Sequence, residues 1–331
     1  MSADPLVRAR GLRKSFRSRG GLFRKQGPAF HAVDGVDLDL HTSEIVGLVG
    51  ESGSGKSTLG RILIRLIEPE AGSLHFNGTD LLALEGAELR RLRREFQIVF
   101  QDPYGSLNPR MKIGDAIGEP LTIHKLVDGR PQRTERVAEL LTQVGLDPAM
   151  ATRYPHEFSG GQRQRIGIAR AIACGPKFIV ADEPVSALDA PVQAQIVNLL
   201  VDLQEHLDLS YLFIAHDLQL VRQICHRVAV MYFGRVVEQA PAAELYSAPR
   251  HPYTRALLAA TPTVRPGRPA APALSGEPPS QTAPPGGCAF HPRCPDAVAE
   301  CAHREPALLQ IDEGHKVACH LVAGQTPKDT A

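Results

Sequence analysis

No run of apolar residues in this sequence approaches the roughly 18 that a membrane-spanning helix needs. The opening stretch, MSADPLVRARGLRKSF, carries charges where a secretory peptide would have its apolar segment. The expectation is a chain made and kept in the cytosol, reaching any membrane only through a partner. Excess charge is also missing. With 37 Lys and Arg against 36 Asp and Glu the formal net charge is +1, which gives no broad basic surface and disfavours nucleic acid as a ligand. Cys-x2-Cys pairs and an Asn-Lys-x-Asp base-reading motif are both absent, against a zinc ribbon and a P-loop GTPase respectively. Six cysteines in a reducing compartment are thiols or metal ligands sooner than disulfides. A chain of 331 residues has room for one large domain and a smaller appendage.

What is present starts at EIVGLVGESGSGKST, residues 44 to 58. Ile45 to Val49 predicts a buried strand, and Gly50, Glu51, Ser52, Gly53, Ser54, Gly55, Lys56 and Ser57, followed by Thr58, fit the phosphate loop G-x-x-x-x-G-K-[ST]. Glycines let the backbone turn its N–H groups onto phosphate oxygens, and the helix that follows adds positive potential at its N-terminus. Lys56 is placed for the β- and γ-phosphates and the Ser57 hydroxyl for Mg²⁺. Leu59, Ile62, Leu63 and Leu66 repeat at helical spacing, so strand, loop and helix follow in the required order.

Around that loop the pattern alternates strands and helices. Residues 6 to 16 and 30 to 40 read as antiparallel strands, separated by the Gly- and Arg-rich RSRGGLFRKQG, a solvated excursion or a contact for lipid headgroups or a partner. Phe16, at a strand end, is either core or a platform for a purine base. Gly72 to Leu82 is a strand and turn, Glu85 to Arg94 a charged helix, and Phe96 to Phe100 a buried strand whose first following polar side chain is Gln101. Residues 113 to 150 read as helical, with Val137, Leu140, Leu141 and Val144 on a packed face. Ser159, Gly160, Gly161 and Gln162 open a helix running to Ala173, as a simple N-cap or as a second anion site. Phe178 to Ala181 is a buried strand closing on Asp182 and Glu183, an acid suited to Mg²⁺ through water and one placed to deprotonate an attacking water. Ser186 to Asp189 leads into a helix lined by Ile196, Leu199, Leu200, Leu203 and Leu207. Leu209 to Ala215 is a further strand ending at His216, and Arg227 to Glu238 a terminal hairpin.

Taken in order, Gln101, Ser159 to Gln162, Asp182-Glu183, Ser186 to Asp189 and His216 resemble the ATP-binding subunit of ABC transporters over residues 6 to 245. Phe158 stands where leucine is commonest in that family, which leaves the backbone chemistry of the following motif intact. The resemblance implies an α/β P-loop NTPase with a RecA-like core, an antiparallel β subdomain and a helical subdomain, over residues 6–261. It implies a head-to-tail dimer with ATP at the interface, the phosphate loop of one subunit facing Ser159 to Gln162 of the other. Phe16 then matches the base-stacking aromatic, and Asp189 joins the nucleotide-site residues. Mg²⁺ is held by Ser57, Gln101 and, through water, Asp182, while Lys56 and His216 stabilise the γ-phosphoryl and Glu183 is the general base.

Beyond residue 261 the composition changes. Residues 262–287 are a Pro-rich linker and 288–331 a small extension holding Cys288, Cys294, Cys301 and Cys319. Thiolates suit Zn²⁺ or an iron–sulfur cluster, and so short a segment would gain order by folding around either. Cys294-Pro295 has the cysteine-proline of ferredoxins, while His291, His303 and His320 keep a mixed zinc site open, and free or disulfide-paired thiols are the third alternative. Cys174 and Cys225, on expected helices, read as small buried side chains. His251-Pro252-Tyr253-Thr254, Cys288 to Pro295 and the Gln101 segment FQDPYGSLNPRM resemble the oligopeptide/dipeptide and nickel branch of the importers, the last of these in its second ATPase subunit. That resemblance implies a [4Fe-4S] cluster on the four cysteines. It also implies an ATPase energising import of dipeptides or oligopeptides from the cytoplasmic side of the inner membrane. The implied partners are a second, different ATPase subunit, two permease subunits docked on the helical segment between Gln101 and Phe158, and a solute-binding protein. The alternatives are nickel or another small solute as cargo, a tail that senses redox state or metal, and a soluble ATPase acting on ribosomes or DNA, which would normally carry tandem cassettes or a coiled-coil insertion.

Overall fold

The computed structural model describes residues 4–17, 29–102, 105–260, 279–280 and 284–322. The Gly- and Arg-rich loop and most of the Pro-rich stretch lie outside the described residues.

Strand β1 (Val7–Arg17) pairs antiparallel with β2 (Ala29–Leu40), as the alternating apolar positions predict. A central strand, β3 (Ile45–Val49), then leads through the phosphate loop into helix α1 (Lys56–Leu63). The next strands, β4 (Ala71–Phe76) and β5 (Thr79–Asp80), complete a four-stranded antiparallel sheet in the order β2-β1-β4-β5. A short helix, α2 (Gly86–Leu92), precedes β6 (Phe96–Val99).

The stretch expected to be helical from 113 to 150 divides into α3 (Ile113–Ile123), α4 (Gly129–Gln143) and a 3-10 turn at Pro148–Thr152. The break falls where the backbone turns left-handed at Lys125 (φ 54°) and again at Gly129 (φ 83°). Helix α5 (Gly160–Ile172) returns the chain to the core as β7 (Phe178–Asp182), α6 (Ala190–Leu207), β8 (Ser210–Ile214) and α7 (Leu218–Ile224). A closing hairpin, β9 (Arg227–Tyr232) and β10 (Arg235–Pro241), turns on Phe233 and Gly234, both with positive φ as a two-residue type I′ turn requires.

The larger sheet has eight strands, and β6, β7, β8, β3 and β9 run parallel inward from one edge. These strands are apolar at nearly every position because both faces are covered, with Gln97, Asp182, Ser210 and Arg227 as the polar exceptions. Val49, Ile179, Ala181, Tyr211, Phe213 and Val230 face one core with α3 to α6, while Val46, Leu48, Val180, Leu212, Ile214 and Met231 face a second core with α1 and the small sheet. The odd-even split is the strand period read directly from packing.

After β10 come α8 (Ala242–Ser247) and α9 (Pro252–Ala260), and the extension adds α10 (Ala299–His303), β11 (Leu309–Asp312) and β12 (His315–Val317). β12 pairs with β10 at Glu238↔Val317, so the extension lengthens the cassette's own sheet. Its order derives from that pairing and from Phe290, buried in the main apolar core. The expected metal is not needed for either contact.

Candidate functional site

The phosphate loop leaves β3 at Gly50 and enters α1 at Gly55, which caps the helix with φ 102°. A Cβ on Gly55 would lie 1.9 Å from the Ala32 carbonyl oxygen, so the close approach and the left-handed backbone both require glycine. Lys56 is buried, and its Nζ donates to the carbonyls of Gly50 (2.8 Å) and Glu51 (2.9 Å). Burial lowers its pKa, opposed by the negative charges of Glu183, Asp182 and Glu51. The ammonium thus rests on loop carbonyls, in place to exchange them for phosphate oxygens.

The other reactive groups come from the C-terminal ends of adjacent parallel strands. Ser57 Oγ donates to Asp182 Oδ1 at 2.7 Å, and Arg61 lies 3.5 Å from the other oxygen of that buried carboxylate. Gln101 Nε2 donates to Glu183 Oε2 at 2.9 Å, and His216 Nδ1 is 3.6 Å from the same oxygen. Glu183 follows β7 in the left-handed region at φ 48°, held there by its N–H donating to Ile214 O and by Ser186, whose N–H and hydroxyl both donate to Glu183 O. Lys56, Ser57, Gln101, Asp182, Glu183 and His216 are therefore brought together around the loop. The Ser57 hydroxyl, the Asp182 carboxylate and the Gln101 amide oxygen are hard donors of the kind Mg²⁺ takes in small number beside substrate phosphates, so the set fits that ion.

The remaining expected residues lie outside this group. Ser159 Oγ accepts from the Gln162 N–H (3.3 Å) and Gln162 Oε1 accepts from the Ser159 N–H (3.0 Å), a capping box at the start of α5. Gly161 is fitted to α6, since a Cβ there would meet Val192 Cγ1 at 2.4 Å. Asp189 caps α6 by accepting from the Val192 N–H at 3.0 Å. Phe16 is half-buried and tilted against Phe30, with ring centroids 5.9 Å apart. Cys225 ends α7 and is buried, while Cys174 lies in the turn after α5.

Two side chains that sequence reasoning passed over reach the loop from far downstream. Arg293 forms a forked ion pair with Glu51, and the Glu51 N–H donates to Tyr253 Oη. Their signal was the His-Pro-Tyr-Thr and His-Pro-Arg-Cys-Pro segments, which marked a tail without indicating what it touches.

Cys288, Cys294, Cys301 and Cys319 are free thiols, and no group of three or more His, Cys, Asp or Glu among the described residues is disposed to hold a metal ion. Burial raises the thiol pKa of Cys288 and Cys319 and pushes Cys294 up to about 11, with the neighbouring extension cysteines adding to the shift. Cys288 and Cys294 pack against the main core as small apolar groups, and the Cys288 N–H donates to Cys301 O. Neither the iron–sulfur cluster nor zinc has support in this arrangement.

Residues 33–186 match the family "ABC transporter", and residues 237–301 match "Oligopeptide/dipeptide transporter, C-terminal region". The oligopeptide transport ATP-binding protein AppF of Bacillus subtilis is 49% identical over 322 residues, covering 96% of this chain and 98% of that protein. The "Probable peptide ABC transporter ATP-binding protein y4tS" of Sinorhizobium fredii is 50% identical over 322 residues, covering 97% of this chain and 91% of its own length. Among solved structures, the dimeric post-hydrolysis state of the ATP-binding cassette MJ0796 bound to ADP and Pi superposes with a TM-score of 0.63 at 29% identity, covering 71% of this chain and 98% of that one. CbiO1 of Clostridium perfringens, part of an ABC transporter complex, gives a TM-score of 0.63 at 25% identity, covering 74% of this chain and 92% of its own. With two motif-bearing regions in register and half of all positions shared along nearly the full length, the chain belongs to the ATP-binding proteins of the peptide branch of ABC transporters.

Proposed function

We propose that this chain is the ATP-hydrolysing subunit that energises import of dipeptides or oligopeptides through a membrane complex. The observation that carries the reading is the meeting of Gln101, Glu183 and His216 at one carboxylate oxygen, beside the buried Asp182–Ser57 pair and Lys56. A water held against Glu183 attacks the γ-phosphorus in line with the β–γ bridging oxygen. Glu183 takes the water's proton, the bridging P–O bond breaks, and ADP and phosphate result. Lys56, the loop amides and His216 meet the charge that grows on the γ-phosphoryl oxygens. Ser57, Gln101 and, through water, Asp182 would hold Mg²⁺, which supplies further neutralisation of the phosphates when bound.

The exposed start of α5 at Ser159 to Gln162 is read as the half-site offered to a facing cassette, with Phe16 stacking on the base and Asp189 beside the nucleotide. Support comes from the dimeric state of the MJ0796 relative. ATP between two such surfaces works as a removable clamp, and its hydrolysis lets them part. The facing cassette is a second, homologous ATPase subunit, and both sit against two permeases on the cytoplasmic side of the inner membrane, served by a solute-binding protein. No helix among the described residues is long and apolar enough to cross a membrane, in keeping with transport through other chains. The domain division 6–261, 262–287 and 288–331 belongs to this reading. A [4Fe-4S] cluster or Zn²⁺ at the four cysteines stays outside it, and iron, zinc and acid-labile sulfide content of anaerobically prepared protein decides that point.

The test is Glu183→Gln. It keeps the Gln101 contact but removes the base, so phosphate release falls by about 10²- to 10⁴-fold while MgATP stays bound through gel filtration. Undiminished hydrolysis would remove Glu183 from the role. Peptide accumulation in vesicles carrying the whole complex, absent with this variant, separates peptide from nickel as cargo.

A further inference from the structure

Glu51 is held at both side chain and backbone by the end of the chain. Arg293, on the 3-10 turn His291–Arg293, is buried and donates Nη1 to Glu51 Oε2 at 2.8 Å and Nη2 to Glu51 Oε1 at 2.9 Å. Nη1 also lies 3.4 Å from Tyr232 Oη. Tyr253 Oη, from α9, accepts the Glu51 backbone N–H at 2.8 Å. Both contacts rest on an aromatic cluster in which Phe290 meets Tyr232, Tyr253 and His251 at centroid distances of 5.4, 5.3 and 5.9 Å. A second tether, His315 Nε2 to the buried Glu238 Oε1 at 2.8 Å, joins β12 to β10, so the extension that carries Arg293 cannot drift from the cassette without breaking a buried pair.

Glu51 lies inside the loop that receives a triphosphate, and its own carbonyl is one of the two that hold Lys56. A bare carboxylate there would repel the incoming phosphates through a medium less polar than water and would compete for Lys56. Arg293 cancels that charge and, by its fork, holds the carboxylate in one orientation. We propose that Arg293 is a positioning residue of the nucleotide site: by neutralising Glu51 it sets the affinity for MgATP, and the docked extension thereby becomes part of the ATP-binding apparatus. This rests on the reading that the phosphate loop takes ATP.

The experiment measures MgATP affinity by calorimetry on the purified full chain, with KM and kcat alongside. Local charge relative to the wild type is lower by one in Arg293→Gln, higher by one in Glu51→Gln and equal in the double variant. Affinity should follow that order. Arg293→Gln is expected to bind MgATP about tenfold more weakly, with the change in KM and little in kcat. Glu51→Gln binds more tightly than the wild type, and the double variant recovers to within about threefold of it. If Arg293 serves only to anchor the extension, the double variant stays as weak as Arg293→Gln, and the proposal is overturned. Equal affinity of Arg293→Gln and wild type overturns it as well. Should Arg293→Gln fail to fold, Glu51→Gln decides alone, since binding equal to or weaker than wild type contradicts the charge order. A wild-type chain that does not bind MgATP would instead defeat the reading of the loop as an ATP site.

Discussion

Left-handed backbone at a residue with a side chain costs about 1–3 kcal/mol and persists only where its surroundings impose it. Glu183 adopts it at φ 48° directly after a buried strand, and the result is a carboxylate turned toward Gln101 and His216 instead of continuing along β7. Glycine relieves that conformation, so Glu183→Gly is expected to raise stability by about 0.5–1 kcal/mol in urea unfolding while phosphate release is lost. A stability at or below that of the wild type would show that the backbone stores no strain there. At this scale the sequence was informative about identity and silent about conformation. Asp182 and Glu183 stood out as acids closing an apolar strand, because a charge after four buried residues has few places to go. Nothing in the letters foretold the positive φ, which depends on Ile214 and Ser186 holding the turn. The sequence was equally silent about Arg61 beside Asp182, since an arginine one helical turn into α1 reads as solvated until the strands are assembled.

At the level of elements, the strands and helices of the cassette were legible because each carries its own period and the motifs fix their order. The extension was not. Leu309–Asp312 and His315–Val317 are too short to show alternation; β12 pairs with β10, which is distant in sequence, and β11 pairs with β12. Four cysteines in so small a segment invited a metal, while the contacts present are those of Phe290 and the sheet. Truncating Phe290 to alanine should therefore cost about 3–5 kcal/mol in urea unfolding and release the extension to limited proteolysis. An extension that stays protected would place its order elsewhere.

His251 gives the same junction a pH dependence. The ring is buried at the start of α9, with Nδ1 accepting the Tyr253 N–H at 3.0 Å. Burial first, then the charge of Arg255, lowers its pKa from 6.5 to about 3, against a bond to the Ala318 backbone that raises it. Between those values the unfolded chain binds a proton that the folded chain refuses. The contribution of His251 to stability is thus whole above pH 6.5 and falls as pH drops through the window, by about 1.4 kcal/mol per pH unit. Unfolding free energies of wild type and His251→Gln at pH 6.5, 5.5 and 4.5 should differ by that slope. Parallel lines would assign the acid sensitivity to other groups.

For the whole molecule, the arrangement matters more than any part of it. The phosphate loop and the acids of β7 lie on the parallel core, whereas Ser159 and Gln162 cap the start of α5 through each other's backbone N–H, with Gly161 fitted against α6. In the proposed function one chain carries two surfaces with anion-binding chemistry, and each is completed by a facing cassette. The start of α5 has the amides of Gly160 and Gly161 and a full helix dipole behind them, with the capping box fixing the entry of the chain. Replacing Ser159 with arginine fills that approach with a long side chain and removes a cap, a change worth about 1 kcal/mol in helix stability and too small to unfold the domain. In a Glu183→Gln background, where bound ATP is not consumed, the prediction is that sedimentation velocity shows ATP-dependent association of this chain with its facing cassette, whether a second copy or the other ATPase subunit. Adding Ser159→Arg abolishes the association. If the doubly substituted protein still associates when MgATP is added, the helix start is an ordinary cap and the clamp must be built from another surface.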